Sequence, residues 1–483
     1  MVDGKQEIIR TSNNEFYTLV KKLFFILLIC CSPIQAQTVA ERLDALLNED
    51  LLKTSEVGIT VFDLTTGESV YRYQDEKLYR PASTQKIITS VTALACLGEG
   101  YTLDTQLSYS GKIENDTLKG NLYLKGSMDP LFMEEQLDSL VTAVVQAGIH
   151  CITDTLVADV SMMDSVYWGP GWSWDDAPYA FQPYLSPLML NGGCVDVTVV
   201  PTQKDSLAAV ACSPKSDMYQ IRNSAVSHQP QMGKLRITRN WTNHDNTLIV
   251  SGNVQHKTTS SLSMYPSQEH FLRIFAERLQ QQGVNIPTIV YSEKAEVADS
   301  LYTFFTIRRP LKAVLQEALK ESNNLCAESL FFHLGRQSSA VSPLTFEDGS
   351  KAVKTFMVKA LGFDSSNYRI ADGSGISLYN YVSPQLLLEY LKYAYYHREV
   401  FFSFYDALPI AGVDGTLKHR MKNTPAYRNV RAKTGSVTGV SSLAGYVKAK
   451  NGHQLAFVII NQNVMKMKRA RDFQDKICII LGQ

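Results

Sequence analysis

Ser83 and Lys86, in the stretch RPASTQKIITS, stand three residues apart at the head of an apolar-periodic run. On a helix that spacing puts both side chains on one face, one turn apart. A neutral lysine amine can take the proton of a serine hydroxyl, and a helix N-terminus favours both the neutral amine and the developing alkoxide. The same residues also describe an ordinary helix start, with serine as N-cap and lysine in the first turn, so the pair alone decides nothing. In KESNNLCAE, Ser322 and Asn324 stand at a break between two helical runs. A turned backbone there aims a hydroxyl and a carboxamide into one cleft; the competing reading is that they cap the second helix. In RAKTGSVTG, Lys433, Thr434, Gly435 and Ser436 lie on a strand, and its alternation lets them serve one site only along an exposed edge. Lysine and the two hydroxyls are what a carboxylate ligand needs, and the glycine leaves room for a second backbone to approach.

The elements that must position these residues can be read from periodicity. GITVFDLTTGESVYRYQ alternates around a turn and predicts a hairpin, directly followed by the helix near Ser83. From about residue 100 to 299 the texture is of short alternating strands, with one helix over roughly 132–147, and reads as β-rich inserted domains, two in number. Helical patterns return at Pro310 and in SPQLLLEYLKYAYY, and the chain closes with three strands and a helix from about Lys466. Strands at both ends with helices between them predict one α/β (α+β) domain, built from residues 37–99 and 300–483 on an antiparallel sheet with helices on both faces. The last helix carries Lys466, Lys468, Arg469 and Arg471 beside apolar residues; packing on the sheet is the expected role, with a membrane surface as the alternative.

Composition excludes several classes. Apolar residues make up 45% of the 483 and charged ones 19%, and Lys plus Arg equals Asp plus Glu at 47 each, so nothing points to nucleic acid as a partner. Lys21 and Lys22, the run LFFILLICC and a small residue at Ala36 have the order of a secretory signal peptide over residues 1–36. The apolar run is too short to span a bilayer, and Ile29 stands where a lipoprotein signal needs a small residue before Cys30 or Cys31. Export to the periplasm is therefore expected, and with it an oxidising compartment for Cys96, Cys151, Cys194, Cys212, Cys326 and Cys478. Cys194 and Cys212 bracket a hairpin signature, and a turn centred near Lys204 would place them face to face as a disulfide; two buried thiols are the alternative. The cysteines form no C-x-x-C pair and the histidines no metal-ligand spacing, so no cofactor or metal is expected.

Taken together, Ser-x-x-Lys, Ser-x-Asn and Lys-Thr-Gly occur in the order found in serine β-lactamases and penicillin-binding proteins. The chain resembles the D-alanyl-D-alanine carboxypeptidases of the class C low-molecular-mass penicillin-binding proteins. KGSMDPLF, ADGSGIS and LPIAGVDGTL resemble further elements of that family, and the separation of 239 positions from Ser83 to Ser322 resembles the gap that holds its extra domains. The resemblance implies that Ser83 forms the acyl-enzyme, Lys86 is the general base and Ser322 relays the proton to the leaving amine. It further implies that Asn324 holds the substrate amide and that Lys433, Thr434 and Ser436 bind the terminal carboxylate, with Gly435 between them. The backbone N–H groups of Ser83 and Ser436 would form the oxyanion hole. The partners it implies are peptidoglycan peptides ending in D-Ala-D-Ala, with β-lactam antibiotics as covalent inhibitors and DD-endopeptidase action within the same chemistry. Asn323 and Ser436 depart from the usual Asp and Thr, and neither change removes a donor. A β-lactamase, or a non-catalytic peptidoglycan-binding or β-lactam-sensing protein on the same scaffold, are the rival readings.

Overall fold

The computed structural model describes residues 37–293, 301–339 and 342–483, so the expected signal peptide lies outside the described residues. The helix Val39–Leu46 belongs to one compact unit and Leu47–Gln483 forms another. Everything below concerns the second.

Its central layer is a five-stranded antiparallel sheet in the spatial order Arg431–Val437, Val440–Lys448, Gln454–Gln462, Glu56–Asp63, Glu68–Tyr73. The first hairpin and the last three strands thus join, as the sequence predicts, and the Lys-Thr-Gly strand occupies one edge. Alternation along Gln454–Gln462 divides its side chains between two layers. Ala456, Val458 and Ile460 enter a large core with Leu386, Leu387, Tyr390 and Leu391 of the helix Pro384–Tyr396. Asn461, of the opposite parity, instead accepts from Gln474 of the final helix, Met467–Leu481. Gln474 also donates to Ser441 of the neighbouring strand, so the final helix packs on the sheet and its basic residues Lys468, Arg469 and Arg471 face solvent.

Between Thr102 and Pro310 the described residues build four further sheets. The largest has five strands and is closed on one side by Tyr302–Pro310, which pairs with Thr102–Tyr109 and runs directly into the helix Leu311–Lys320. Among the described residues of this block lie two α-helices, not one: the expected one, at Glu134–Gln146, and a second at Ser267–Gln281. Phe271, Leu272, Phe275 and Leu279 of the second helix fill the core under that sheet at helical spacing.

KGSMDPLF anchors the block to the helix Asn324–Ser338. Asp129 is buried and pairs with Arg309 at 3.1 Å, while the carbonyls of Ser127 and Met128 meet His333 and Ser329 of the helix Asn324–Ser338 at 2.8 and 2.6 Å. The element is thus a structural clasp.

The proposed disulfide is corrected by register. Cys194–Val200 and Ala209–Ser213 do form an antiparallel pair, but Cys212 lies opposite Val197, and Cys194 lies opposite Ser263 of a third strand. The turn centres between Lys204 and Asp205, so the two cysteines sit an odd number of positions out of register, on opposite faces of the sheet. All six described cysteines are free thiols.

Candidate active site

Ser83 sits in a single 3₁₀ turn, Ala82–Thr84, that leads into the helix Gln85–Leu97. Neither helix start has a side-chain cap, so the capping reading of Ser83 falls. The turn is held by other groups: the Thr84 and Ser442 hydroxyls donate to the Pro81 carbonyl at 2.7 and 2.6 Å. Ala82 adopts φ +48°, a left-handed conformation that costs a non-glycine residue about 1–2 kcal/mol. A second chain segment presses on this turn, because a Cβ on Gly375, itself at φ +84°, would collide with the Ala82 carbonyl.

Lys86 is fully buried one turn after Ser83. Its Nζ lies 3.0 Å from Ser83 Oγ, 2.7 Å from Asn324 Oδ1 and 2.9 Å from the Ser374 carbonyl, which uses all three ammonium donors. Burial pulls its pKa down to about 8, against the opposing pull of the Glu328 and Asp372 carboxylates. The amine is therefore neutral in a useful fraction of molecules near neutral pH.

The break before the helix Asn324–Ser338 separates capping from chemistry. Asn323 takes the N-cap role, its Oδ1 accepting from the Cys326 amide at 3.1 Å. Ser322 at φ +64° turns the backbone and releases its neighbours from the helix pattern. Ser322 Oγ accepts from Lys433 Nζ at 2.9 Å, while Asn324 bridges Lys86 and the Phe181 carbonyl, to which its Nδ2 donates at 2.8 Å.

On the edge strand Lys433 and Gly435 are buried, Thr434 is half-buried and Ser436 is exposed. The Lys433 ammonium also reaches the Thr434 carbonyl at 2.8 Å. Its pKa is pushed well below the usual lysine range, first by burial and then by the charge of Lys86. Gly435 has a steric reason. A Cβ there would overlap Ser442 Oγ and lie 2.9 Å from both the Pro81 carbonyl oxygen and the Ser83 amide nitrogen. The strand backbone is thus packed against the nucleophile turn, and Ser83, Lys86, Ser322, Asn324, Lys433 and Gly435 form one continuous cluster. Ser436, opposite Ser441 in the ladder, and Thr434 border it.

Three contributors lie outside Ser-x-x-Lys, Ser-x-Asn and Lys-Thr-Gly, two of them in the accompanying AGVDGTL and ADGSGIS elements. Thr416, in AGVDGTL, accepts from the Thr434 hydroxyl at 2.8 Å. Its loop is fixed by Asp414, which pairs with Lys320 at 2.8 Å and accepts from the Ile410 amide at 2.7 Å. The Ser374 carbonyl that holds Lys86 belongs to ADGSGIS, a loop organised around buried Asp372. That carboxylate accepts from Gly375 N, Ser377 N, Asn380 Nδ2 and Trp172 Nε1 at 2.7 to 3.0 Å. The third is Glu328, fully buried one turn after Asn324, which accepts from the amides of Gly373 and Ser374 at 3.0 and 2.8 Å. Burial and the nearby Asp372 charge raise its pKa. Its signal in the sequence is an acidic residue inside the apolar run NLCAESLFFHL, one helical turn from Asn324. Among the described residues no cluster of His, Cys, Asp or Glu has the makings of a metal site.

The cluster offers a hydroxyl beside a depressed-pKa amine, a second lysine–serine pair and an open strand edge, which together suit acyl transfer on a substrate bearing a carboxylate. Comparison with known proteins points to the same chemistry. The model of the D-Ala-D-Ala carboxypeptidase 3 (S13) family matches residues 39–483. The D-alanyl-D-alanine carboxypeptidase DacB of Haemophilus influenzae is 30% identical over 427 residues, covering 85% of this chain and 86% of that protein. The D-alanyl-D-alanine carboxypeptidase of an Actinomadura species is 28% identical over 438 residues, covering 87% and 80%. Crystallographic penicillin-binding protein 4 of Haemophilus influenzae superposes with a TM-score of 0.79 at 26% identity, covering 90% of this chain and 97% of that one. A second structure of that protein, complexed with a β-lactam, gives 0.75 at 25%.

Proposed function

The chain belongs to the S13 family of D-Ala-D-Ala carboxypeptidases, and from that premise we propose how its own residues divide the reaction. Ser83 Oγ attacks the carbonyl of the penultimate D-Ala, and Lys86, in its neutral form, takes the hydroxyl proton. The tetrahedral oxyanion lies between the backbone N–H groups of Ser83 and Ser436, a preorganised pair of the kind whose single members are worth about 2.7–4 kcal/mol in acyl transfer. Ser322, hydrogen-bonded to Lys433, relays to the leaving amine the proton that Lys86 took from Ser83, and the terminal D-Ala departs. Water then attacks the ester and restores Ser83. Asn324 holds the substrate amide, and Lys433, Thr434 and Ser436 take the terminal carboxylate along the strand edge, with Thr416 fixing the Thr434 hydroxyl.

The observation that carries this reading is the fully buried Lys86 amine 3.0 Å from Ser83 Oγ. An anionic carboxylate arriving at Lys433 favours the charged form of that lysine, and a charged Lys433 beside Lys86 favours a neutral Lys86. Substrate binding therefore prepares the base. The physiological substrate in this reading is a peptidoglycan stem peptide ending in D-Ala-D-Ala, met in the periplasm after export. A β-lactam, whose strained amide occupies the same place, acylates Ser83 as an inhibitor. Within the second unit, residues 47–99 and the chain beyond the inserted block are the proposed catalytic domain.

The test is incubation with a fluorescent penicillin and, separately, with a D-Ala-D-Ala peptide, using Ser83→Ala alongside. The expected result is a stable label and D-Ala release by the wild type, both absent from the variant. Wild-type protein that neither takes the label nor releases D-Ala refutes the reading, and a label lost within seconds identifies a β-lactamase.

A further inference from the structure

Three of the chain's four tryptophans, Trp168, Trp174 and Trp241, line one pocket together with Tyr184, His244 and Ala177. Its volume is about 260 Å³, just below the ~300 Å³ at which small-molecule sites usually begin. A single six-membered ring with its substituents fits that scale; a folded peptide does not. The Trp174 and Trp241 rings meet at 4.5 Å between centroids, and Trp168 and Tyr184 at 5.0 Å, so the walls are ring faces and edges. Yet Trp174 remains 68% exposed, which leaves one of the largest apolar side chains facing water.

Charge narrows the occupant. Aromatic cages commonly bind cations, but here the guanidinium of Arg239, only 1% exposed, stands 5.6 Å from the Tyr184 ring centroid behind the pocket wall. A fixed positive charge there opposes an ammonium ligand. A neutral ring with apolar C–H faces and polar edges has no such penalty.

Position narrows it again. Ala177, in the pocket wall, precedes by four residues Phe181, whose carbonyl holds Asn324 of the catalytic cluster. Four residues reach at most ~14 Å, and a stem peptide of five residues extends to about 17 Å. A substrate with its D-Ala-D-Ala end at Ser83 therefore brings the amino sugar to which the stem is attached within range of this pocket.

We propose that the Trp168–Trp174–Trp241–Tyr184 pocket binds an N-acetylated amino sugar of the peptidoglycan glycan, stacked on the indoles, and so favours glycan-linked over free stem peptides. The proposal rests on the carboxypeptidase reading for its substrate class, but sugar binding is measurable without turnover. The experiment titrates tri-N-acetylchitotriose, with tetramethylammonium in parallel, against the intrinsic tryptophan fluorescence of the wild type, Trp174→Ala and Trp241→Ala. In a second arm, kcat/KM is compared between a disaccharide-pentapeptide and the free pentapeptide.

The expected results are saturable quenching by the sugar, binding weakened in both variants by about three- to tenfold per ring removed, and a ratio of kcat/KM values that falls by a similar factor. Trp174 is mostly exposed, so its replacement leaves the core intact; Trp241 supplies an independent variant. No response to the sugar at millimolar concentration, tighter binding of tetramethylammonium, or an unchanged ratio overturns the proposal. Loss of D-Ala release from the free pentapeptide by the wild type would instead refute the carboxypeptidase reading and leave the sugar titration readable.

Discussion

Replacing Gly435 by alanine tests how tightly the edge strand is set against the nucleophile. The new Cβ would lie 2.9 Å from the Pro81 carbonyl oxygen and from the Ser83 amide nitrogen, against 3.4 Å for an ordinary contact, and would overlap Ser442 Oγ. Ser442 can rotate away only by giving up its 2.6 Å bond to the Pro81 carbonyl. The other two neighbours are backbone, so strand and turn must separate by about 0.5 Å, the difference between 3.4 and 2.9 Å. Overpacking of this kind costs about 1–3 kcal/mol, to which the lost hydroxyl bond adds roughly 1 kcal/mol. Chemistry loses more than stability, because the displaced amide is a proposed oxyanion donor and misplacement approaching 1 Å can cost ~10²-fold in rate. The assay is the second-order rate of acylation by a fluorescent penicillin, with the melting temperature of the same sample. The expected result is a protein that still melts cooperatively, a few degrees lower, and acylates tens- to a hundredfold more slowly. Acylation within threefold of the wild type would refute the claim that this glycine sets the distance between strand and nucleophile.

Other outcomes follow from the same geometry. With Lys86 near 8, the neutral fraction rises from roughly 9% at pH 7 to about half at pH 8 and 91% at pH 9, so acylation of Ser83 should climb about fivefold and then about twofold over those steps. A climb of roughly seven- to tenfold per unit sustained up to pH 10 would mean an unperturbed lysine. Lys86→Ala should lose about 10²–10⁴-fold in acylation and melt a few degrees lower, because Asn324 Oδ1 and the Ser374 carbonyl lose their buried donor. Asp129→Ala leaves Arg309 without its buried partner and should cost about 3–5 kcal/mol in unfolding free energy, measured by denaturant titration. The wild type should melt at a temperature that does not depend on added dithiothreitol, since no disulfide joins Cys194 and Cys212; a melting temperature that falls with reductant, and no longer does so in Cys194→Ser, would contradict this.

The catalytic layer was legible because its signals are local. Period-two runs place the strands at both ends of the sheet, and Ser-x-x-Lys states a one-turn relation that holds in the structure. What sequence left undecided at Ser83 and Ser322 was capping against chemistry, and the structure shows that neither of them caps a helix. Asn323 caps the helix next to Ser322, while the hydroxyls of Thr84 and Ser442 hold the turn at Ser83. The parts not legible depend on backbone or on register. The Ser374 carbonyl on Lys86 is a contact that any residue type could make. Cys194 and Cys212 would face each other only across a turn centred on Gln203, and the actual centre, between Lys204 and Asp205, lies far enough beyond it to send the side chains to opposite faces. The helix Ser267–Gln281 was hidden among strands because its apolar residues are interleaved with Arg273, Glu277 and Arg278, and the run reads as polar unless taken at a period of 3.6. Glu328 had a visible signal, an acid within an apolar helix, whose meaning depends on the loop that folds over it.

The central claim is that Ser83 is the residue acylated and that Lys86 makes it so. Peptide mapping by mass spectrometry after brief exposure to benzylpenicillin measures this most directly. The account predicts one intact penicilloyl adduct per chain, on the peptide that contains Ser83, no adduct on Ser83→Ala, and a strongly slowed adduct at the same position on Lys86→Ala. An adduct at Ser322 or elsewhere, or full-rate labelling of Lys86→Ala, would contradict it.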